Sequence, residues 1–151
     1  MTVALSCIEI KTKLEAQFPG SVIEVSDSII VIRAELLLEI AAFLKTSPDI
    51  QLDYLSFITA VDYQNYFEVV YYLNSIVYNH SLLLKVRINE RENPALPSVV
   101  SLWQGADFQE REVYDLMGIS FEGHPNMKRI VLWDGFPGHP LRKDWRDGGQ
   151  D

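Results

Sequence analysis

The first third of the chain alternates helical and extended patterns. Residues 6–9 carry Ser and Glu at capping-box spacing, which predicts a helix start, because these side chains can bond backbone donors that are free there. A Pro-Gly pair at residues 19–20 predicts the end of this helix. Two β-branched runs, at residues 21–25 and 29–32, predict a hairpin. Apolar residues recur at helical spacing over residues 34–45, which predicts a helix that covers a sheet.

The middle of the chain predicts three strands, at residues 52–61, 66–77 and 82–88. The short connections between them favour an antiparallel meander. In the third strand, apolar side chains alternate with mostly polar ones. One face of the sheet is therefore expected to meet helices, and the other to meet water or a partner. Pro94 and Pro97 then break the strand pattern.

A further helix is predicted at residues 107–117. Asp107 and Glu110 repeat the capping arrangement at its start, and Gly118 can cap its end. Together these patterns predict an α+β fold over residues 1–119, with a small, mostly antiparallel sheet and helices packed on one face.

The remaining segment, residues 120–151, predicts an extended C-terminal docking tail. Gly and Pro recur along it, and its periodic stretches are too short for an element of their own. It nevertheless holds Phe121, Trp133 and Phe136, which disordered tails usually lack. We therefore expect this tail to be ordered by packing, either on its own domain or on a neighbouring protein.

Composition narrows the possible partners and the chemistry. The chain has 151 residues, a formal charge of −8 and a pI near 4.8, which disfavours binding to nucleic acid or to an anionic membrane surface. No apolar run approaches the ~20 residues that span a bilayer. Cys7 is the only cysteine, which excludes a disulfide within the chain and an iron–sulfur cluster held by its own thiolates. The N-terminus has no leader pattern, which favours a cytosolic chain.

The polar cluster at residues 110–115 has two interpretations. Its three carboxylates, one guanidinium and one phenol could supply an acid and a base for catalysis. No nucleophile stands beside them, and Arg111 and Asp115 are spaced to pair along a helix. We therefore favour a solvated or interfacial polar face. Motifs for dinucleotide, phosphate, zincin and serine-hydrolase sites are absent from the sequence.

Two Gly-His-Pro triplets, at residues 123–125 and 138–140, each precede basic residues. A zinc site needs three or four ligands, so a histidine site would have to recruit His80. A small metal-dependent enzyme or metal-binding module is thus one hypothesis. The proline after each histidine favours another, in which each imidazole sits at a rigid turn and bonds main-chain groups. Charged side chains beside the second triplet suit charge-assisted hydrogen bonds: Arg142, Lys143 and Asp144.

Three segments, residues 110–125, 128–130 and 138–144, resemble the signature of the 30-kilodalton subunit of respiratory complex I. The order of elements over residues 34–88 is similar to that family as well. The resemblance implies a non-catalytic peripheral-arm subunit of an NADH:quinone oxidoreductase, with electron transfer to quinone coupled to proton translocation. It implies no cofactor in this chain, because iron–sulfur clusters, flavin and quinone belong to partner subunits. The implied partners are the 49-kilodalton-type subunit and neighbouring iron–sulfur subunits, at the cytoplasmic face of the membrane and without direct insertion.

By the same resemblance, the motif positions are docking residues, and none is catalytic, cofactor-binding or metal-ligating. The docking set is Glu110, Arg111, Glu112, Tyr114, Asp115, His124, Pro125, Arg129, His139, Pro140, Leu141, Arg142, Lys143 and Asp144. The sequence departs mildly from the family at Met117 and Trp145. An equivalent subunit of a related membrane-bound hydrogenase or ferredoxin-fed complex remains an alternative.

Overall fold

A computed structural model describes residues 2–146 of the chain. This part forms an α+β fold, which confirms the predicted class. Its elements, in chain order, are β1 (Val3–Ala4), α1 (Cys7–Gln17), β2 (Val22–Val25), β3 (Ile29–Ile32), α2 (Leu37–Thr46), β4 (Tyr54–Asp62), β5 (Phe67–Ser75), β6 (His80–Ile88), β7 (Ala95–Pro97), α3 (Ala106–Met117) and β8 (Ser120–Glu122). No helix within residues 2–146 has both the length and the apolar character that a bilayer crossing requires.

The main sheet is mixed, with strand order β2-β3-β6-β5-β4. The predicted hairpin β2–β3 and the predicted meander β4–β5–β6 are both antiparallel, as expected. Two parallel pairings were not predicted, since both β3 and the short strand β1 lie beside β6. Local alternation does not reveal such pairings, because they join segments about 50 or more residues apart along the chain.

One face of this sheet carries the hydrophobic core. On β5, Phe67, Val69, Tyr71 and Leu73 alternate inward and are almost fully buried. They belong to one cluster with apolar residues of α1, α2 and α3, so all three helices cover the same face. The opposite face holds half-buried or exposed side chains such as Phe57 and Tyr72, whose ring centroids lie 5.3 Å apart.

The predicted capping pair at the start of α3 is wrong. The N-cap residue is Gly105, and no side chain caps the helix there. Glu110 is instead fully buried, where it accepts hydrogen bonds from the Ser98 hydroxyl (2.6 Å) and the Val99 N–H (2.8 Å). At α1 the serine half of the predicted capping pair is confirmed, since Ser6 accepts from the Glu9 N–H, and Gly118 ends α3 at φ +78° as predicted.

The chain around the predicted boundary at residue 119 forms a second, two-stranded sheet. β7 lies between Pro94 and Ser98, where the prolines had indicated a break, and it pairs in parallel with β8. Phe121 of β8 is buried in the main core. The division into residues 1–119 and 120–151 stays a prediction, and the first residues after it pack on the domain.

Candidate docking site

The buried carboxylate of Asp115, near the end of α3, holds the first half of the tail. Its Oδ2 accepts the backbone N–H groups of Ile130 (3.1 Å), Val131 (2.8 Å) and Leu132 (2.8 Å). Its Oδ1 accepts from Nη1 of Arg129 at 2.7 Å. Four donors therefore converge on one side chain that has no exposed surface.

These donors also determine the charge of Asp115. Burial by itself would raise the pKa of the carboxyl, because a charge is costly to remove from water. The three backbone N–H groups and the Arg129 guanidinium favour the ionised form, and together they lower the pKa below its ordinary value. Asp115 is therefore an anion at neutral pH, held entirely by its own chain.

Hydrogen bonds hold the second Gly-His-Pro triplet against the same end of α3. Nδ1 of His139 lies 2.9 Å from the carbonyl oxygen of Asp115, and the Leu141 N–H donates to the Leu116 carbonyl at 2.9 Å. Arg129 adds a link through Nη2 to the Gly138 carbonyl at 2.8 Å. The His139 ring packs so closely on α3 that it leaves no space for a side chain at position 118 of the helix cap.

The first Gly-His-Pro triplet is held against the start of α3 through its histidine. His124 has a fully buried side chain, and its Nε2 lies between the carbonyl oxygen (3.2 Å) and the carboxylate Oδ1 (3.0 Å) of Asp107. Its Nδ1 accepts from the Asn126 N–H at 2.9 Å. The prediction that each imidazole bonds main-chain groups at a turn is confirmed for both triplets.

The three histidines are not brought together. His80, the third ring that a histidine metal site would need, bonds the Ile50 carbonyl through Nε2 at 2.6 Å, while His124 and His139 bond opposite ends of α3. Within residues 2–146, no three His, Cys, Asp or Glu side chains lie where they could share a metal ion. Each imidazole instead bonds a main-chain carbonyl, and this suits a role in holding the backbone in position.

The end of the described tail is held by four charged residues, Asp62, Arg91, Arg142 and Asp144, which we call the tail latch. Arg91 donates to both oxygens of Asp62 (2.8 and 2.9 Å) and to Asp144 Oδ2 (3.2 Å). Arg142 donates to both oxygens of Asp144 (2.8 Å each) and to the Arg91 carbonyl (2.9 Å). The Lys143 N–H donates to Asp62 at 2.8 Å, so β4 and the tail are joined directly.

The latch is ionised at neutral pH. Hydrogen bonds from Arg91 hold the pKa of Asp62 far below its usual range, and those from Arg142 lower the pKa of Asp144 to about 2. Both guanidinium groups also lie over the ring of Phe67, at 4.5 Å and 5.1 Å from its centroid. The latch therefore combines paired charges with an aromatic support from the sheet.

The helix segment 110–115 differs from the sequence expectation. The interpretation as a solvated or interfacial face is wrong for Glu110 and Asp115, which are both fully buried. Burial raises the pKa of Glu110, although the donors from Ser98 and Val99 act against this. Arg111 does not pair with Asp115. It donates instead to the carbonyls of Lys128 (3.1 Å) and Arg129 (3.3 Å).

The other predicted docking residues lie nearer the surface. Glu112, Pro125, Leu141 and Lys143 are exposed, and Tyr114 and Pro140 are half-buried. The docking role of the whole set stays a prediction. Sequence reasoning missed Asp62 and Arg91, which lie outside the three recognised segments. No local sequence pattern identifies them, because their partners in the tail are 51 to 81 positions away.

The fold and the site define a class of protein: a small α+β domain whose motif residues hold an extended tail against it. Residues 30–151 match the sequence profile of the family described as "Respiratory-chain NADH dehydrogenase, 30 Kd subunit". Since this match covers most of the chain, the chain belongs to that family, as the resemblance had indicated.

Individual relatives agree with this assignment. The C subunit of the NADH-quinone oxidoreductase of Roseiflexus castenholzii is 37% identical, over 98% of this chain and 88% of the relative. The corresponding subunit of Moorella thermoacetica is 40% identical, over 91% of this chain and 96% of the relative. Among solved structures, a chain of an archaeal respiratory membrane complex, the membrane-bound sulfane sulfur reductase, has a TM-score of 0.70 at 25% identity. That match covers 93% of this chain and 86% of the other.

Proposed function

We propose that this chain is a non-catalytic peripheral-arm subunit of a complex I-like NADH:quinone oxidoreductase. The observation that carries the proposal is the family match over residues 30–151, joined by NADH-quinone oxidoreductase subunits that align along nearly the whole chain. The charged motif residues form hydrogen-bonded ion pairs within the chain, and this supports a structural role in an assembly. Electron transfer to quinone and the coupled proton translocation belong to the complex as a whole.

The partner in this proposal is a 49-kilodalton-type subunit, together with neighbouring iron–sulfur subunits. Iron–sulfur clusters, flavin and quinone would be bound by those partners, at the cytoplasmic face of the membrane. The tail supports a docking role because its backbone is already held in shape by Asp115 and the tail latch. A preorganised segment loses less conformational entropy on binding than a disordered one.

Affinity purification from the host organism tests this function. The chain would carry an N-terminal tag, and membranes would be solubilised in mild detergent. We expect the tagged chain to bring down iron–sulfur subunits in constant ratio and with NADH:quinone oxidoreductase activity. Recovery of the chain without iron–sulfur or membrane partners would contradict the proposal.

A second candidate is an equivalent subunit of a related respiratory membrane complex that uses another electron donor. The structural similarity to a chain of the sulfane sulfur reductase favours keeping it. The same purified assembly distinguishes the two. Reduction of its iron–sulfur centres by NADH supports the first candidate, whereas reduction by ferredoxin or hydrogen and not by NADH supports the second.

A further inference from the structure

Some groups of the tail bond to the domain, whereas several of its large apolar side chains are exposed. The hydrogen bonds run to Asp115, to the end of α3 and to Asp62. Among the apolar side chains, Val131 is 57% exposed, Trp133 66% and Leu141 59%. We call these three residues the outward strip. Large apolar side chains held in water on an ordered segment commonly mark a protein interaction site.

The positions of these side chains are set by the domain. The Val131 N–H donates to Asp115, and the Leu141 N–H donates to the Leu116 carbonyl. The two hydrogen-bond acceptors therefore belong to adjacent residues of α3. The Trp133 ring packs edge-on against Phe136, at 6.0 Å between centroids. The outward strip is thus presented on a backbone that is held before any partner arrives.

The charge around the strip is opposite to that of the rest of the chain. Residues 128–146 contain five Lys or Arg and two Asp, a formal charge of +3, whereas residues 1–127 contain eight Lys or Arg and seventeen Asp or Glu, a formal charge of −9. Arg129 and Arg142 are engaged by carboxylates of the chain itself. The exposed ammonium groups of Lys128 and Lys143 have no carboxylate within ion-pair distance in the described part of the chain.

We propose that the outward strip, flanked along the chain by the exposed Lys128 and Lys143, is the surface through which the tail binds its partner. The partner surface that fits it has an apolar centre and an acidic border, by charge complementarity. Motif residues such as Asp115, Arg142 and Asp144 are then positioning residues, which shape the strip without touching the partner. This inference rests on the proposed function, since the occupant is a neighbouring subunit of the assembly.

Serine substitutions in the strip test its apolar part. The variants are Trp133→Ser and Leu141→Ser, and Ile76→Ser is the matched control, because Ile76 is 72% exposed at the remote turn between β5 and β6. Each tagged full-length chain replaces the native one in its host, and mass spectrometry measures the iron–sulfur subunits recovered per tagged chain. We expect each strip variant to lower recovery about tenfold or more, and the Ile76 variant to change it less than twofold.

A charge reversal tests the border. In the double variant Lys128→Glu/Lys143→Glu, recovery should fall, and the fall should be largest at low ionic strength, where exposed charges are least screened. Lys11→Glu is the control, because Lys11 is exposed on α1 and its reversal changes the net charge in the same direction. Lys11→Glu reverses one charge where the double variant reverses two, so a loss from Lys11→Glu at least half as large on a logarithmic scale would show that net charge alone is responsible and would overturn the border.

The outcomes separate this inference from the proposed function. If the wild-type chain recovers no partner subunits, the proposed function fails. If it recovers them and both strip variants do so equally well, or if Ile76→Ser is as damaging as they are, only the outward strip is wrong. Circular dichroism melting of each purified chain checks the fold, and we expect little change because the substituted side chains are exposed.

Discussion

Replacing Asp115 by Asn should release the first half of the tail while the domain stays folded. Oδ2 accepts three backbone N–H groups and Oδ1 accepts from the Arg129 guanidinium. The asparagine amide has one acceptor oxygen and one NH₂ group. Whichever way it is oriented, a donor faces a donor, and the negative charge is lost.

The cost follows from the contacts that are lost. A hydrogen bond to a charged group contributes about 1.5–3 kcal/mol, and removing one partner of a buried ion pair costs about 3–5 kcal/mol. Because the tail can move away and expose Arg129 to water, we expect about 3 kcal/mol, which is roughly a hundredfold in a local opening equilibrium. Hydrogen–deuterium exchange of the amides of Ile130, Val131 and Leu132 measures this opening directly.

The control is Glu112→Gln, an exposed position on the same helix. Amides of β5 serve as an internal reference, since they report the opening of the core. If the amides of residues 130–132 in Asp115→Asn exchange within about threefold of the wild-type rate, the carboxylate does not hold the tail. A lowered folded-state pKa means that the stability from Asp115 is present above the ordinary Asp pKa of ~3.9 and is lost as pH falls below it. The difference between wild type and variant should therefore shrink in acid.

Three further substitutions test other parts of the structure. Tyr71→Phe should leave the free energy of unfolding in guanidinium unchanged or raise it by about 1 kcal/mol, because this buried hydroxyl has no hydrogen-bond partner among the described residues; a clear loss would contradict that placement. Gly118→Ala should lower thermal stability by at least about 1–2 kcal/mol, since its φ is +78° and the new Cβ would lie 2.8 Å from Cδ2 of His139. Gly105→Ala, with nothing within 4 Å, should be nearly neutral, and equal effects of the two would refute the close packing. Asp62→Asn should lower the melting temperature at pH 7 and have a smaller effect near pH 3, because below the ordinary Asp pKa of ~3.9 the unfolded wild-type chain takes up a proton that the folded carboxylate, whose pKa lies far lower, does not; an equal effect at both pH values would count against the latch.

Periodic segments were predictable because their signal is local. The helix expected at residues 34–45 is a short 3₁₀ turn followed by α2, and the three expected central strands are β4, β5 and β6 with shifts of a few residues. Alternation with period 2 and recurrence with period 3.6 depend only on neighbours in the chain. The family was also recognisable from the sequence, through the residues clustered at 110–144, and the comparisons confirm it.

Burial of charged residues was not predictable in the same way. Glu110 suited a helix start by spacing, yet the rotation of α3 on the sheet directs it into the core toward Ser98 and Val99. The fate of a carboxylate depends on which donors the fold places around it, and those donors lie far away in the sequence. Asp62 and Arg91 were not predictable for the same reason, because their contacts join the middle of the chain to the tail.

The tail shows most clearly which features the sequence determines and which the tertiary structure determines. Composition and the aromatic residues of the segment indicate that it must be ordered by packing, because it is rich in Gly and Pro and cannot bury its own apolar side chains. They do not indicate where it packs. Only the tertiary structure decides that the described tail lies on its own domain, since the two buried carboxylates that hold it, Asp115 and Asp62, come from a helix and a strand formed by distant parts of the chain.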